Sequence, residues 1–166
     1  MLLAIDVYYM EDRAKAVGVL FNWPNEQPVQ IVTEYFTGIE EYISGEFYRR
    51  ELPCILKLLK QVDLQTLDAV IVDGYIYINN EGGFGLGGKL YEALDKQVPV
   101  IGVAKTSFMS NKDTIIEVKR GESDNPLYVS AIGIPLNEAA QNVKNMKGPY
   151  RMPSILKLMD TETKKD

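Results

Sequence analysis

Three β-rich runs crowd the start of the chain: LLAIDVYY (2–9), KAVGVLFN (15–22) and PVQIVTEY (28–35). The stretches between them are too short to hold a crossover helix, so each run must pair antiparallel with the next. The chain therefore opens as a meander. WPNEQP, between the second and third runs, supplies the Pro and Asn of a turn.

Beyond a loop with two glycines at 37–45, the hydrophobic period changes. Phe47, Ile55, Leu58, Leu59 and Val62 recur at helical spacing in EFYRRELPCILKLLKQV (46–62). Pro53 either kinks that helix or opens its second part. DAVIVD (68–73) and PVIGVAK (99–105) are short continuous apolar runs, the pattern of strands buried on both faces. GLGGKLYEALDKQ (85–97) between them predicts a helix. DTIIEVK (113–119) and PLYVSAI (126–132) predict a hairpin around RGESDN, and helices over 136–146 and 153–161 follow. The order is β-β-β-α-β-α-β, then β-β-α-α. It implies an α/β fold: a mixed sheet in which an antiparallel three-strand meander leads into αβαβ, with helices on both faces. That is the order of a ribonuclease-H-like domain. The 166 residues suit one domain over 1–161, with 162–166 as a frayed tail.

The available chemistry is narrow. There is no histidine and only one cysteine, Cys54. Triads that need His, HExxH sites, an internal disulfide and Cys-based zinc clusters are all excluded. Carboxylates are the remaining metal donors, and as hard oxygen ligands they favour Mg²⁺ or Mn²⁺. Asp6 interrupts the first strand and Asp73 ends the fourth. In the expected architecture these two positions lie side by side, where a divalent cation would resolve their repulsion. Taken singly, each has a plainer reading: Asp6 as an acid on an exposed face, Asp73 as a turn residue. Glu51 reads as a solvated helical acid, and Arg49 and Arg50 as phosphate contacts or helix-surface cover. Lys105, at a strand terminus, reads as a phosphate contact or a surface lysine. The run GGFGLGG contains GxGxxG at Gly83, Gly85 and Gly88, but the preceding strand ends about ten residues earlier. Close helix packing or approach of a ligand backbone explains it better than dinucleotide binding. The net charge of −5 and pI near 4.9 argue against tight sequence-independent nucleic-acid binding, though not against a metal-dependent nuclease.

Several segments in order resemble endonuclease V, the deoxyinosine 3′-endonuclease family. EYISGEFYRRE (41–51) is similar to its PYIPGxLxFRE motif at Tyr42, Ile43, Gly45, Arg50 and Glu51, and AVIVDGYI (69–76) to LLVDGHG at Val72, Asp73 and Gly74. FGLGGKLY (84–91) resembles FGLASHLG, GVAK (102–105) is intact, YVSAIGI (128–134) resembles YVSPGHR, and RMPSILKLMD resembles RLPxPxRLA. AIDVYY matches the GVDxxY context of the first-strand acid at Asp6. The resemblance spans nearly the whole chain and implies a ribonuclease-H-like fold. It implies Asp6, Asp73 and Glu51 as acids at a metal (Mg²⁺, with Mn²⁺ an alternative) and Lys105 at the phosphate. It further implies Tyr42, Ile43 and Gly45 as a wedge that opens the strand. Gly74 would border the pocket of a flipped hypoxanthine, with Arg50 and Ser130 also on the substrate. The implied reaction is metal-assisted hydrolysis of a phosphodiester 3′ to inosine, one bond beyond the adjoining one, in DNA or RNA.

The chain departs from the family at its histidines. The histidine of SPGHR falls on Gly133 and that of VDGHG on Tyr75; the wedge prolines fall on Glu41 and Ser44. A catalytically degenerate scaffold that binds a protein or nucleotide partner without cleavage is therefore the alternative. No apolar run reaches the roughly 18–20 residues of a membrane span, and with one thiol and no targeting segment the default location is cytoplasmic.

Overall fold

The computed structural model describes residues 1–23, 27–37, 48–107 and 109–165. Its strands are β1 (Leu2–Tyr9), β2 (Ala14–Phe21), β3 (Gln30–Phe36), β4 (Ala69–Asp73), β5 (Val100–Ala104), β6 (Ile116–Val118) and β7 (Leu127–Ile132). They form one sheet in the order β3-β2-β1-β4-β5-β7-β6. β1, β2 and β3 are the expected antiparallel meander. β4 joins β1 in parallel and β5 joins β4 in parallel, while the β6–β7 hairpin runs antiparallel to β5.

The helices are α1 (Tyr48–Leu59), α2 (Leu86–Ala93), α3 (Leu136–Lys144) and α4 (Ser154–Thr163). Pro53 lies inside α1, in its second turn. α2 stops short of the expected end because Asp95 and Lys96 take left-handed backbone angles. The β6 strand is shorter than the sequence suggests, since residues 109–114 form a 3₁₀ turn.

Strand alternation divides the core into two layers. On one face Leu3, Ile5, Val70 and Val72 pack with Cys54, Ile55 and Leu58 of α1 and Leu86 and Leu90 of α2. On the other, Leu2, Ala4, Ile71, Ile101 and Val103 pack with Ala139 and Val143 of α3 and Ile155, Leu156 and Met159 of α4. The glycine run serves this packing. A methyl group on Gly87 would collide with the Ile76 side chain, and one on Gly88 with the Phe84 ring. Residue 162, where the tail was expected to begin, lies within α4. α4 continues to Thr163, which is fully buried, and the Lys15 ammonium holds the carbonyls of Glu162 and Lys165. No helix among the described residues is long and apolar enough to cross a membrane.

Candidate active site

The register of β1 on β4 builds the site. Leu2 to Ile5 face Ala69 to Val72 in parallel, so one further step sets Asp6 beside Asp73. Both follow the parity of Leu2, Ala4, Ala69 and Ile71, which places their carboxyls on the face covered by α4. This is the carboxyl edge of the parallel strands, where sheets of this kind place their ligands.

Asp6, Asp73, Lys105 and Asp160 line one pocket there. Its remaining wall is apolar and includes Val103, Met152, Leu156 and Met159. Burial therefore dominates the electrostatics. It pushes the Asp6 carboxyl up to about 7, with the neighbouring charges of Asp73 and Asp160 adding to the rise and the Val7 N–H opposing it. That N–H donates to Asp6 Oδ1 at 2.8 Å. Burial also raises Asp73; Lys105 pulls it down and Asp160 pushes it up.

Glu51 comes from α1, in the opposite layer, and does not line the pocket. It is 6% exposed. Burial, then repulsion by Asp6 and Asp73, holds its carboxyl at about 9, against the opposing pull of Arg50. The Arg50 guanidinium stacks 3.5 Å over the Tyr9 ring. Arg50 Nε and the Tyr9 hydroxyl are both buried with no hydrogen-bond partner among the described residues.

These carboxyls suit a divalent cation by their chemistry. They are hard oxygen donors held in an apolar surround, and their charges repel: Asp73 and Asp160 raise Asp6, Asp160 raises Asp73, and Asp6 and Asp73 raise Glu51. Among the described residues no three acidic side chains are arranged to enclose an ion by themselves. The donors would have to draw together as the cation neutralises their repulsion.

Asp160 is the residue that the sequence reading missed. Its signal was present: RMPSILKLMD ends in this acid, one helical turn beyond Leu156 on the stripe that buries Ile155, Leu156 and Met159. An acid on the apolar face of a helix is as anomalous as one within an apolar strand.

Gly133, aligned with the family's missing histidine, is nowhere near these acids. β7 runs antiparallel to β5, with Ala104 opposite Tyr128 and Val100 opposite Ile132. Gly133 therefore falls at the amino edge of β5, against Tyr91 and Pro99. That is on the order of 13 Å along the strand from the Asp73 edge. A histidine at 133 could not reach the pocket, so its absence removes no donor from it.

Ser130, expected to touch substrate, is fully buried. Its hydroxyl accepts the Ile76 N–H at 3.1 Å, so it fixes the loop that follows β4. Gly74 opens that loop with φ +145°, an angle that L side chains rarely adopt, and its N–H donates to Val103 O. Gly102 of GVAK is required by contact. A methyl group there would meet the Gly74 carbonyl at 2.6 Å and Ser130 Oγ at 2.7 Å. Tyr42, Ile43 and Gly45 lie outside the described residues. Behind Lys105, the Arg151 guanidinium donates to the Lys105 and Pro126 carbonyls. The segment before α4 is gathered by the buried Arg120, whose hydrogen bonds reach the carbonyls of Lys144, Met146, Gly148, Tyr150 and Arg151.

Known proteins resemble this chain over nearly its whole length. The family model for endonuclease V matches residues 1–161. Endonuclease V of Pyrococcus horikoshii is 31% identical over 163 residues, covering 97% of this chain and 72% of that protein. The catalytic domain of human endonuclease V superimposes with a TM-score of 0.77 at 23% identity, over 98% of this chain and 80% of that one. Endonuclease V of Ciona intestinalis, in complex with a 24mer DNA containing an inosine followed by a ribo-adenosine, gives 0.78 at 19% identity, over 98% and 83%. The fold is ribonuclease-H-like.

Proposed function

The chain belongs to the endonuclease V family, and from that premise we propose that it is a divalent-metal-dependent endonuclease. Its substrate is DNA or RNA containing inosine, and it hydrolyses a phosphodiester on the 3′ side of the deaminated base, using Mg²⁺ or Mn²⁺. The observation that carries this reading is the Asp6–Asp73 pair at the carboxyl edge of β1 and β4, sharing one pocket with Asp160 and Lys105.

Asp6, Asp73 and Asp160 would hold the cation, with Glu51 close behind them. When bound, the ion supplies Lewis-acid stabilisation of charge on the phosphate and eases ionisation of the attacking water. The protein's own residues do the rest. The Lys105 ammonium neutralises a phosphate oxygen and favours departure of the 3′-oxygen. Glu51, its carboxyl held at about 9 by burial and the charges of Asp6 and Asp73, would be a further acid toward the cation from the opposite layer. Met152, Leu156 and Met159 exclude bulk solvent and so strengthen each charge interaction. Gly74 would edge the base pocket while Ser130 holds its loop, Arg50 would contact the strand, and Tyr42, Ile43 and Gly45, outside the described residues, would be the wedge. The non-cleaving alternative is motivated by the absent histidine and the net charge of −5; against the first, Gly133 lies at the amino edge of β5, away from the pocket.

The test is cleavage of inosine-containing single-stranded DNA, double-stranded DNA and RNA in Mg²⁺ or Mn²⁺, with Asp73→Asn as control. Metal-dependent products mapped to the 3′ side of inosine, absent in the control, support the reading. No cleavage of any of these substrates by the wild type refutes it.

A further inference from the structure

The last turn of α4 is anchored to the sheet. Lys15 of β2 is only 5% exposed, and its Nζ donates to Glu162 O at 2.7 Å and Lys165 O at 2.8 Å. An ammonium buried this deeply must be hydrogen-bonded, and the carbonyls at a helix C-terminus are suited to it because they carry the negative end of the helix dipole. Lys15 faces Tyr8 across the β1–β2 register. Tyr8 stands two residues beyond Asp6 and therefore on the same face of the sheet. Residues 162–165 are thus fixed beside the candidate active site.

Lys164 sits between the two anchored carbonyls. Its Nζ is 3.1 Å from Asp160 Oδ2, and Asp160 lines the pocket. The two side chains are 56% and 37% exposed. An ion pair this open holds little free energy and exchanges partners readily. A divalent cation and an ammonium cannot share one carboxylate comfortably: once Asp160 turns to the cation, Lys164 is left facing like charge. The acceptor that would then suit it is a backbone phosphate of the bound strand. Tyr8, 41% exposed, flanks the same place and offers a ring on which a base could stack.

We propose that Lys164 is a transferable counter-ion: it covers Asp160 in the cation-free site and moves to a substrate phosphate when the site is loaded. It would then be a second phosphate lysine beside Lys105, supplied by the end of the chain. This proposal rests on the nuclease reading above.

The experiment measures binding of a cleavage-resistant phosphorothioate oligonucleotide containing inosine, in Mn²⁺, across a series of KCl concentrations. Wild type, Lys164→Met and Lys164→Arg are compared, and Mn²⁺ binding without oligonucleotide is measured by calorimetry. Lys164 is exposed, so neither substitution disturbs the core. Lys164→Met is expected to bind roughly three- to tenfold more weakly, with the slope of log K against log[KCl] shallower by about 0.7. Lys164→Arg should keep the wild-type slope, and Lys164→Met should bind Mn²⁺ at least as tightly as wild type. An unchanged slope and affinity in Lys164→Met overturns the proposal and leaves the nuclease reading intact. Weaker Mn²⁺ binding in that variant also overturns it, because Lys164 would then support the metal site instead of covering it. Failure of the wild type to bind the oligonucleotide at any salt removes both.

Discussion

Replacing Asp6 with Asn should make the cation-free protein more stable. The Asp6 carboxyl is held near 7 chiefly by burial, against an unperturbed value of 3.8. A folded-state pKa above the unfolded one means that the folded protein binds the extra proton between about pH 4 and pH 7. Stability therefore falls as pH rises through that window and stays low above it. The difference between 3.8 and about 7 corresponds to roughly 4 kcal/mol at pH 8 as an upper bound. Part of that belongs to the coupling with Asp73 and part is relieved by water at the pocket mouth, so a gain of about 1–3 kcal/mol is the expectation. Asn keeps an Oδ1 for the Val7 N–H and removes only the charge. For a domain of this size the gain is roughly 3–10 °C in Tm at pH 8, shrinking toward zero near pH 4. Thermal unfolding in EDTA at pH 5 and pH 8 measures it. Added Mn²⁺ should raise the wild-type Tm at pH 8 and leave the Asp6→Asn Tm nearly unchanged. If Asp6→Asn proves less stable than wild type at pH 8 in EDTA, the carboxylate is not a destabilising charge and the reasoning fails.

The remaining expectations concern the supports of the site. Gly133→His should give no increase in Mn²⁺ affinity and should cost about 1–3 kcal/mol, since φ is +82° and a Cβ would press on Tyr91; calorimetry and denaturant melts read the two effects. Lys15→Met should cost about 1–3 kcal/mol in denaturant unfolding, because two carbonyls at the end of α4 lose their donor. Gly102→Ala should cost about 1–3 kcal/mol by driving the Gly74 carbonyl and Ser130 apart, with a measurable loss of Mn²⁺ affinity as the Asp73–Gly74 turn moves.

The sheet was largely legible in the sequence because its determinants are local. Short connections forced the meander, and the unbroken apolar runs of β4 and β5 could only be central parallel strands. Local chemistry also marked the errors. α2 ends at left-handed Asp95 and Lys96, which carry no glycine to announce the turn. The 3₁₀ turn at 109–114 is held by long-range bonds that no local pattern records: Ser110 Oγ to Ile78 O, Asn111 Nδ2 to Tyr77 O, and the Asp113 N–H to Asn80 Oδ1. The end of α4 looked frayed because its anchor, Lys15, lies on the second strand.

The same division separates the acids. Asp6 and Asp73 are brought together by strand register, which follows directly from the order of elements. Asp160 joins them only because α4 folds back across β1 and β2, and nothing in its neighbourhood of the chain specifies that partner. It was nevertheless readable as an anomaly, because an acid in line with the apolar stripe of a helix needs a reason. Position 133 is a case of the opposite kind. Matching motifs along the sequence treats position 133 as equivalent to a metal-site position, yet an antiparallel β7 carries its following residue away from the carboxyl edge that holds Asp73. A motif assigns a residue to a site only as far as the strand direction delivers it there. By that criterion the carboxylates this chain brings to the pocket are Asp6, Asp73 and Asp160, and a side chain at 133 does not join them.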